Sequence, residues 1–207
     1  LKKFEWFGEF GWEVMTFAPW ARKEADGKCL VRSFKGMAPL YKDFADFEQH
    51  DQEERVLKFP KRYRCRGKFF KYGNPKTVKD ILVHARGIRR KASINYKRWK
   101  ELELDAGYIG TKEDLCFGED FRDIDLQELM DIIAGAKVVV GVSSGVMHLA
   151  QACGTPVVVW GDDKSYFGES LEKRYKETWN PFKTDVKWLE GWSPEPEEIE
   201  NAVRSFV

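Results

Sequence analysis

Apolar residues fall along this chain in two kinds of stretch. Short continuous runs at 80–84 (DILVH), 138–140 and 157–160 read as strands buried on both faces. Residues 2–7, 28–34 and 106–109 read as further strands, the last ending at Gly110. Helical spacing marks 12–25, despite Pro19, and 96–104. It marks 125–135 too, with Leu126, Leu129, Met130, Ile132 and Ile133 on one side, and 146–153, which Gly154 can stop. A C-terminal helix at 195–206 is opened by Pro194 and Pro196. Residues 37–47 read as a helix or turn, and 55–59 as a short strand. The basic interval 60–77, with Gly67, Gly73 and Pro75, reads as a loop or linker. Strands alternating with helices predict an α/β chain with parallel sheets covered on both faces.

At 207 residues and 43% apolar, the chain can bury a core as one large domain or two small ones. No apolar run approaches the length of a membrane span, and no secretion signal is visible. The four cysteines, Cys29, Cys65, Cys116 and Cys153, are scattered, which fits reduced thiols and a cytoplasmic location. Three histidines without paired Cys/His spacing argue against a zinc site, and no metal ligand set is assigned.

Charge changes the picture in one region. Residues 55–91 hold fourteen Lys and Arg against one acid, Asp80, a net of +13 in a chain whose total is +1. Arg62, Arg64 and Arg66 lie in this block, with Phe59, Tyr63, Phe69, Phe70 and Tyr72 between the cations. Cations mixed with aromatics suit a polyanion such as nucleic acid. A solvated face balanced by acids elsewhere in the fold has the same composition.

The most informative stretch is 137–161, KVVVGVSSGVMHLAQACGTPVVVWG. A strand runs into the turn Gly141-Val142-Ser143-Ser144-Gly145, then a helix, then a second strand. Small residues before a helix N-terminus make a corner where backbone N–H groups and the helix dipole favour an anion. A plain crossover with a serine cap reads the same way. No G-x-G-x-x-G follows the first strand, which counts against a dehydrogenase-type dinucleotide fold.

This stretch resembles the C-terminal donor-binding segment of GT-B glycosyltransferases, most closely the heptosyltransferase-like family nine. The resemblance runs through Ser144, Gly145, His148, Leu149, Ala150, Gly154, Pro156 and Gly161, and departs at Ser143, where many members carry aspartate. ILVHARGIRRKASINYKRW and GYIGTKED resemble neighbouring parts of the same domain, and FGEFGWEVMTFAPWAR resembles the first strand and glycine loop of the N-terminal one. The resemblance implies two Rossmann-like parallel-sheet domains. A reduced acceptor-side domain would occupy 1–76, a nucleotide-sugar-binding domain 77–194, and a C-terminal helix 195–207.

It also implies an activity: inverting, metal-independent transfer of a sugar from a nucleotide-diphosphate sugar to an acceptor hydroxyl, with no cofactor besides that co-substrate. Ser143, Ser144, Gly145 and His148 would meet the donor, with Arg86, or Arg90 or Lys91, on its phosphates. Glu113 and Asp162 are candidate contacts to ribose and sugar. His84 closes a strand and reads equally as a cleft or a structural residue. Gly8, Gly11 and Trp12 would lie on the acceptor side, with Glu13 as general base and Glu9 second. The acceptor is open between DNA and an anionic glycan. A different class, a non-catalytic nucleotide- or nucleic-acid-binding module, draws on the short first half and on Ser143.

Overall fold

The computed structural model describes residues 1–56, 67–87, 96–161 and 168–207. They form two units, Leu1–Lys71 and Tyr72–Val207.

The first unit is a three-stranded parallel sheet. Its strands are β1 (Lys2–Glu5), β2 (Cys29–Ser33) and β3 (Ala45–Gln49), in the order β1-β2-β3. Between β1 and β2 runs one helical segment: α1 (Phe10–Trp12), a π-helical stretch Glu13–Phe17, and α2 (Ala18–Glu24). Pro19 sits in the first turn of α2, where its missing N–H interrupts little. The core is aromatic, with Trp6 stacked on Phe17 at 5.0 Å and Tyr41 on Phe47 at 6.0 Å. Buried Arg22 grips Asp43 through two hydrogen bonds of 2.6 and 2.9 Å. In place of the expected helix or turn over 37–47 there is a 3-10 turn, Ala38–Leu40, and then β3. As an edge strand, β3 is half-exposed and lacks a continuous apolar run.

The second unit is a six-stranded parallel sheet in the order β6-β5-β4-β7-β8-β9. The strands are β4 (Ile81–His84), β5 (Gly107–Gly110), β6 (Glu119–Arg122), β7 (Val138–Val142), β8 (Val157–Gly161) and β9 (Val186–Glu190). Helices α3 (Leu126–Gly135), α4 (Gly145–Cys153), α5 (Leu171–Lys173) and α6 (Pro196–Arg204) connect or close them, and the π-helical stretch Arg174–Thr178 continues α5. Asp125 caps α3 through the Glu128 N–H at 2.8 Å. Gly154 ends α4 in the left-handed region, φ +76°, which glycine adopts without a side-chain clash. Glu195 and Glu198 form a reciprocal capping box on α6.

Two expectations give way here. Residues 96–104 make only the 3-10 turn Trp99–Glu101. Tyr96, Trp99 and Leu102 are core residues all the same, and Tyr96 and Trp99 pack on Trp160 at 5.2 and 5.3 Å. The unit boundary lies at 71/72 and not at 76/77. The Tyr72 N–H bonds the Ala152 carbonyl, Lys76 bonds Asp131, and Thr77 bonds Gly135, so 72–77 are fastened to α3 and α4.

Candidate functional site

Strand order reverses between β4 and β7. β5 and β6 continue to one side, β8 and β9 to the other. In parallel α/β sheets the carboxyl ends of strands at such a switch point leave a crevice that takes ligands. His84 is the last residue of β4, and Ser143-Ser144-Gly145 follow β7 directly.

Ser143 still follows the sheet, with its N–H on the Trp160 carbonyl at 2.8 Å. Its hydroxyl lies 3.0 Å from the Tyr175 hydroxyl. Ser144 is the N-cap of α4 in extended conformation, and its carbonyl accepts the His148 N–H at 3.2 Å. The Ser144 side chain does not cap its own helix. It points to His84, with Oγ 3.0 Å from Nδ1.

His84 is buried, and its Nε2 lies 3.4 Å from Asp114 Oδ2. Asp114 also accepts from the Gly87 N–H at 2.9 Å and the Thr111 N–H at 2.8 Å. Burial pushes the Asp114 carboxyl up, but His84, Thr111 and Gly87 outweigh it and hold the group well below the usual carboxylate range. Asp114 is therefore an anion at neutral pH.

His148 stands one turn into α4. It stacks on Tyr175 at 5.0 Å and meets the edge of Trp179 at 4.6 Å. Burial, with the Arg174 charge in support, lowers its pKa to about 3, so the ring is neutral under ordinary conditions. Its Nδ1 has no hydrogen-bond partner among the described residues. Burial pushes the Tyr175 hydroxyl well up, against the pull of Ser143, the Ser144 backbone and Arg86. Arg86 is half-buried two residues beyond β4, close enough for its charge to be felt at that hydroxyl.

The structure thus gathers His84, Ser143, Ser144, Gly145 and His148, with Arg86 beside them, in one part of the second unit. Glu113 is exposed on the surface, and its neighbour Asp114 is the acid that enters the cluster. Asp114 and Tyr175 are the residues that sequence reasoning missed. Asp114 had a local signal, a Thr three residues before it just after Gly110; Tyr175, thirty-two residues beyond Ser143, had none. Asp162, Arg90, Lys91, Arg62, Arg64 and Arg66 lie outside the described residues.

In the first unit, Gly8 is buried, and Glu9, Gly11 and Trp12 are half-buried around the start of α1. Glu13 is fully buried. Ser33 and Tyr41 donate to its Oε1, the latter at 2.6 Å, and Arg55 donates to Oε2 at 2.8 Å. A cavity of about 730 Å³, lined among others by Arg22, Lys28, Lys42, Phe44, Lys68 and Phe70, opens in this unit and contains none of the candidate residues. Three described members of the basic block are paired: Arg55 with Glu13, Lys76 with Glu128, Lys79 with Asp105. Among the described residues, no group of three or more His, Cys, Asp or Glu is placed to hold a metal ion, and no helix is long and apolar enough to cross a membrane.

The parallel α/β architecture of the two units is shared with solved structures. The chain is similar to the iron-containing dodecameric glycosyltransferase TibC from enterotoxigenic Escherichia coli, with a TM-score of 0.58 and 14% identity over 93% of this chain and 63% of that one. TibC, an iron-containing heptosyltransferase, in complex with ADP-D-beta-D-heptose gives a TM-score of 0.56, again at 14% identity, over 93% of this chain and 62% of that one. The chain therefore spans less than two thirds of these neighbours, and the likeness is one of fold, the GT-B α/β type. The family model described as glycosyltransferase family 9 (heptosyltransferase) matches residues 123–189. The heptosyltransferase-like resemblance read from the sequence is this same family, and the matched span takes in β7, the corner, α4 and β8. Curated proteins give no match to the sequence.

Proposed function

We propose that this chain is a glycosyltransferase that binds a nucleotide-diphosphate sugar at the Ser143–Gly145 corner and moves the sugar to an acceptor hydroxyl. The observation that carries the reading is the corner itself, seated at the topological switch point within the span matched by family 9. The amides of the first turn of α4 receive no side-chain cap from Ser144, and they point toward the end of the helix where an anion is favoured. Arg86 offsets the charge that grows on the leaving diphosphate. Neutral His148 hydrogen-bonds the donor without adding charge.

Transfer is direct, inverting and metal-independent, with helix amides and a guanidinium doing the work of a cation. The acceptor proton goes to the Gly8–Glu13 turn. Glu9, half-buried, is the carboxylate an acceptor hydroxyl reaches. Glu13 anchors that turn and acts as base directly only once Arg55 swings off it. The basic block favours an anionic acceptor, a nucleic acid or a charged glycan. The free thiols of Cys29, Cys116 and Cys153 support a cytoplasmic setting.

One observation favours a second reading, a binding module without turnover: the residue first in line as base is sealed in the core. A thermal-shift screen against adenosine, uridine, guanosine, cytidine and thymidine diphosphates tests the donor site, since a ligand of the native state raises Tm by mass action. No shift with any of the five refutes both readings at this corner. Release of free nucleoside diphosphate from the matching sugar donor, lost on Glu9→Gln or Arg86→Ala, supports the enzyme. Binding without release in the presence of anionic acceptors supports the module.

A further inference from the structure

The proposed donor site leaves one geometry unexplained. A serine at an N-cap ordinarily accepts a hydrogen bond from the second or third amide of its helix. Ser144 does not, and bonds His84 instead. Behind His84 stands Asp114, and behind Asp114 the backbone N–H groups of Gly87 and Thr111. Gly110 is shaped to allow this. Its φ is +134°, and a Cβ there would stand 2.4 Å from Asp114 Oδ2 and 3.1 Å from His84 Cδ2. A relay of carboxylate, imidazole and hydroxyl thus ends at the helix N-terminus.

The protons in this relay have only two arrangements. Ionised Asp114 accepts from His84 Nε2–H. With a neutral ring, Nδ1 carries a lone pair, and the Ser144 hydroxyl must donate to it. The serine then turns only oxygen lone pairs toward an arriving phosphate, which repel it. With an imidazolium, Nδ1–H donates to Ser144 Oγ, and the serine proton is released to a phosphate oxygen. The groups facing His84 fit this switch. Asp114 is the anion, from the connection after β5, and Arg86 is the nearby cation just beyond the end of β4. Ser144, the Gly110 backbone and the Gly141 backbone, from the β7–α4 turn, β5 and β7, are uncharged.

We infer that His84 and Asp114 are positioning residues, which couple binding of a diphosphate at Ser144 to uptake of one proton by His84 from solvent. The inference rests on the proposed donor site and adds a proton to it. His148 cannot supply the effect, because it stays neutral near pH 7.

The test is calorimetric titration of the full chain with ADP-glucose and UDP-glucose in HEPES and in Tris, from pH 7 to 8.5. The diphosphate of these donors is esterified at both ends and its two remaining acidic groups are already ionised there, so any proton counted belongs to the protein. The buffer dependence of the heat is expected to show uptake approaching one proton per donor bound, with affinity falling up to about tenfold per pH unit. Ser144→Ala cuts the link while leaving the amides, and is expected to bind more weakly with no uptake and no pH slope. Asp114→Asn is expected to lose the slope too; should it fail to fold, the wild type against Ser144→Ala decides. Equal heats in both buffers, or full uptake retained in Ser144→Ala, overturns the relay and leaves the donor site standing. If neither donor binds and none of the five diphosphates shifts Tm, the donor site falls and the relay with it.

Discussion

Each unit of this protein buries one carboxylate near the carboxyl ends of its strands, and the two differ in what their hydrogen bonds reach. Glu13 accepts from Ser33, Tyr41 and Arg55, three groups that hold the helical segment to β2 and to the chain around residue 55. Asp114 accepts from two backbone amides and His84, and His84 passes on to Ser144 at the mouth of a helix. The same chemical group serves in one place as a tie and in the other as the fixed end of a relay. Burial alone therefore does not mark a functional acid; what stands on the far side of its partner does.

The comparison breaks most directly at Glu13. Glu13→Ala leaves Arg55 without its buried partner and two hydroxyls without an acceptor. The expected cost is about 3 kcal/mol, the lower end for a broken buried pair because Arg55 is partly exposed. Urea unfolding measures it. A loss under about 1 kcal/mol would mean Glu13 is no anchor, and would return it to the front as the base. Asp114→Asn should cost less, about 1–2 kcal/mol, since the backbone donors keep an acceptor oxygen. Its larger effect should be on donor affinity. The wild-type Asp114 contribution has a definite sign with pH. Its folded pKa is depressed, so the stability is fully present above the ordinary value of 3.8 and is lost as pH falls below it. Acid unfolding of wild type against Asp114→Asn should converge in that window.

How much of this was legible in the sequence follows from where each residue's partners lie. β4, β7 and β8 occupy the middle of the sheet, are buried on both faces, and show as continuous apolar runs. β3, β6 and β9 are edge strands with polar, half-exposed residues such as Glu119-Asp120-Phe121-Arg122, and pattern alone does not separate them from loop. Residues 96–104 carry helical spacing because Tyr96, Trp99 and Leu102 all face the core, yet an extended exit after one 3-10 turn buries them equally well. In the site, the Ser143–His148 corner is local in sequence and could be read directly. Asp114 has its local Thr111 signal, but its pairing with His84 comes from sheet order, and the Tyr175 contact comes from packing on α4; no spacing encodes either contact.

His148 sharpens the comparison from a third direction, as a buried group with no carboxylate at all. Its folded pKa is lowered to about 3, by burial first and the Arg174 charge second, from an unfolded value of 6.5. The unfolded chain therefore binds one more proton between these values. Stability is full above pH 6.5 and falls as pH drops toward 3, by at most about 1.4 kcal/mol per pH unit. The slope should be shallower than that, since the residue as a whole is only half-buried. His148→Asn should flatten the profile between pH 6.5 and 4 in chemical unfolding. An unchanged profile would place the protonation elsewhere.

The smallest expected effect separates the two serines. Ser143 and Ser144 are adjacent, similar in exposure, and both hydrogen-bonded to a ring residue, so composition treats them alike. Their partners do not. Tyr175 keeps its proton across the working range, because burial pushes its hydroxyl far up, and it can hand Ser143 no charge. In the proposed relay it is His84 that takes the proton, with the Asp114 carboxylate behind it. Ser143→Ala should therefore leave stability within about 0.5 kcal/mol and weaken donor binding without touching its pH dependence. Ser144→Ala should abolish that dependence. If both substitutions lower affinity in parallel at every pH, the corner is a pair of equivalent hydroxyl donors. The distinction between a tie and a relay would then belong to the carboxylates alone, and the helix amides with Arg86 would carry the diphosphate without help from a titrating partner.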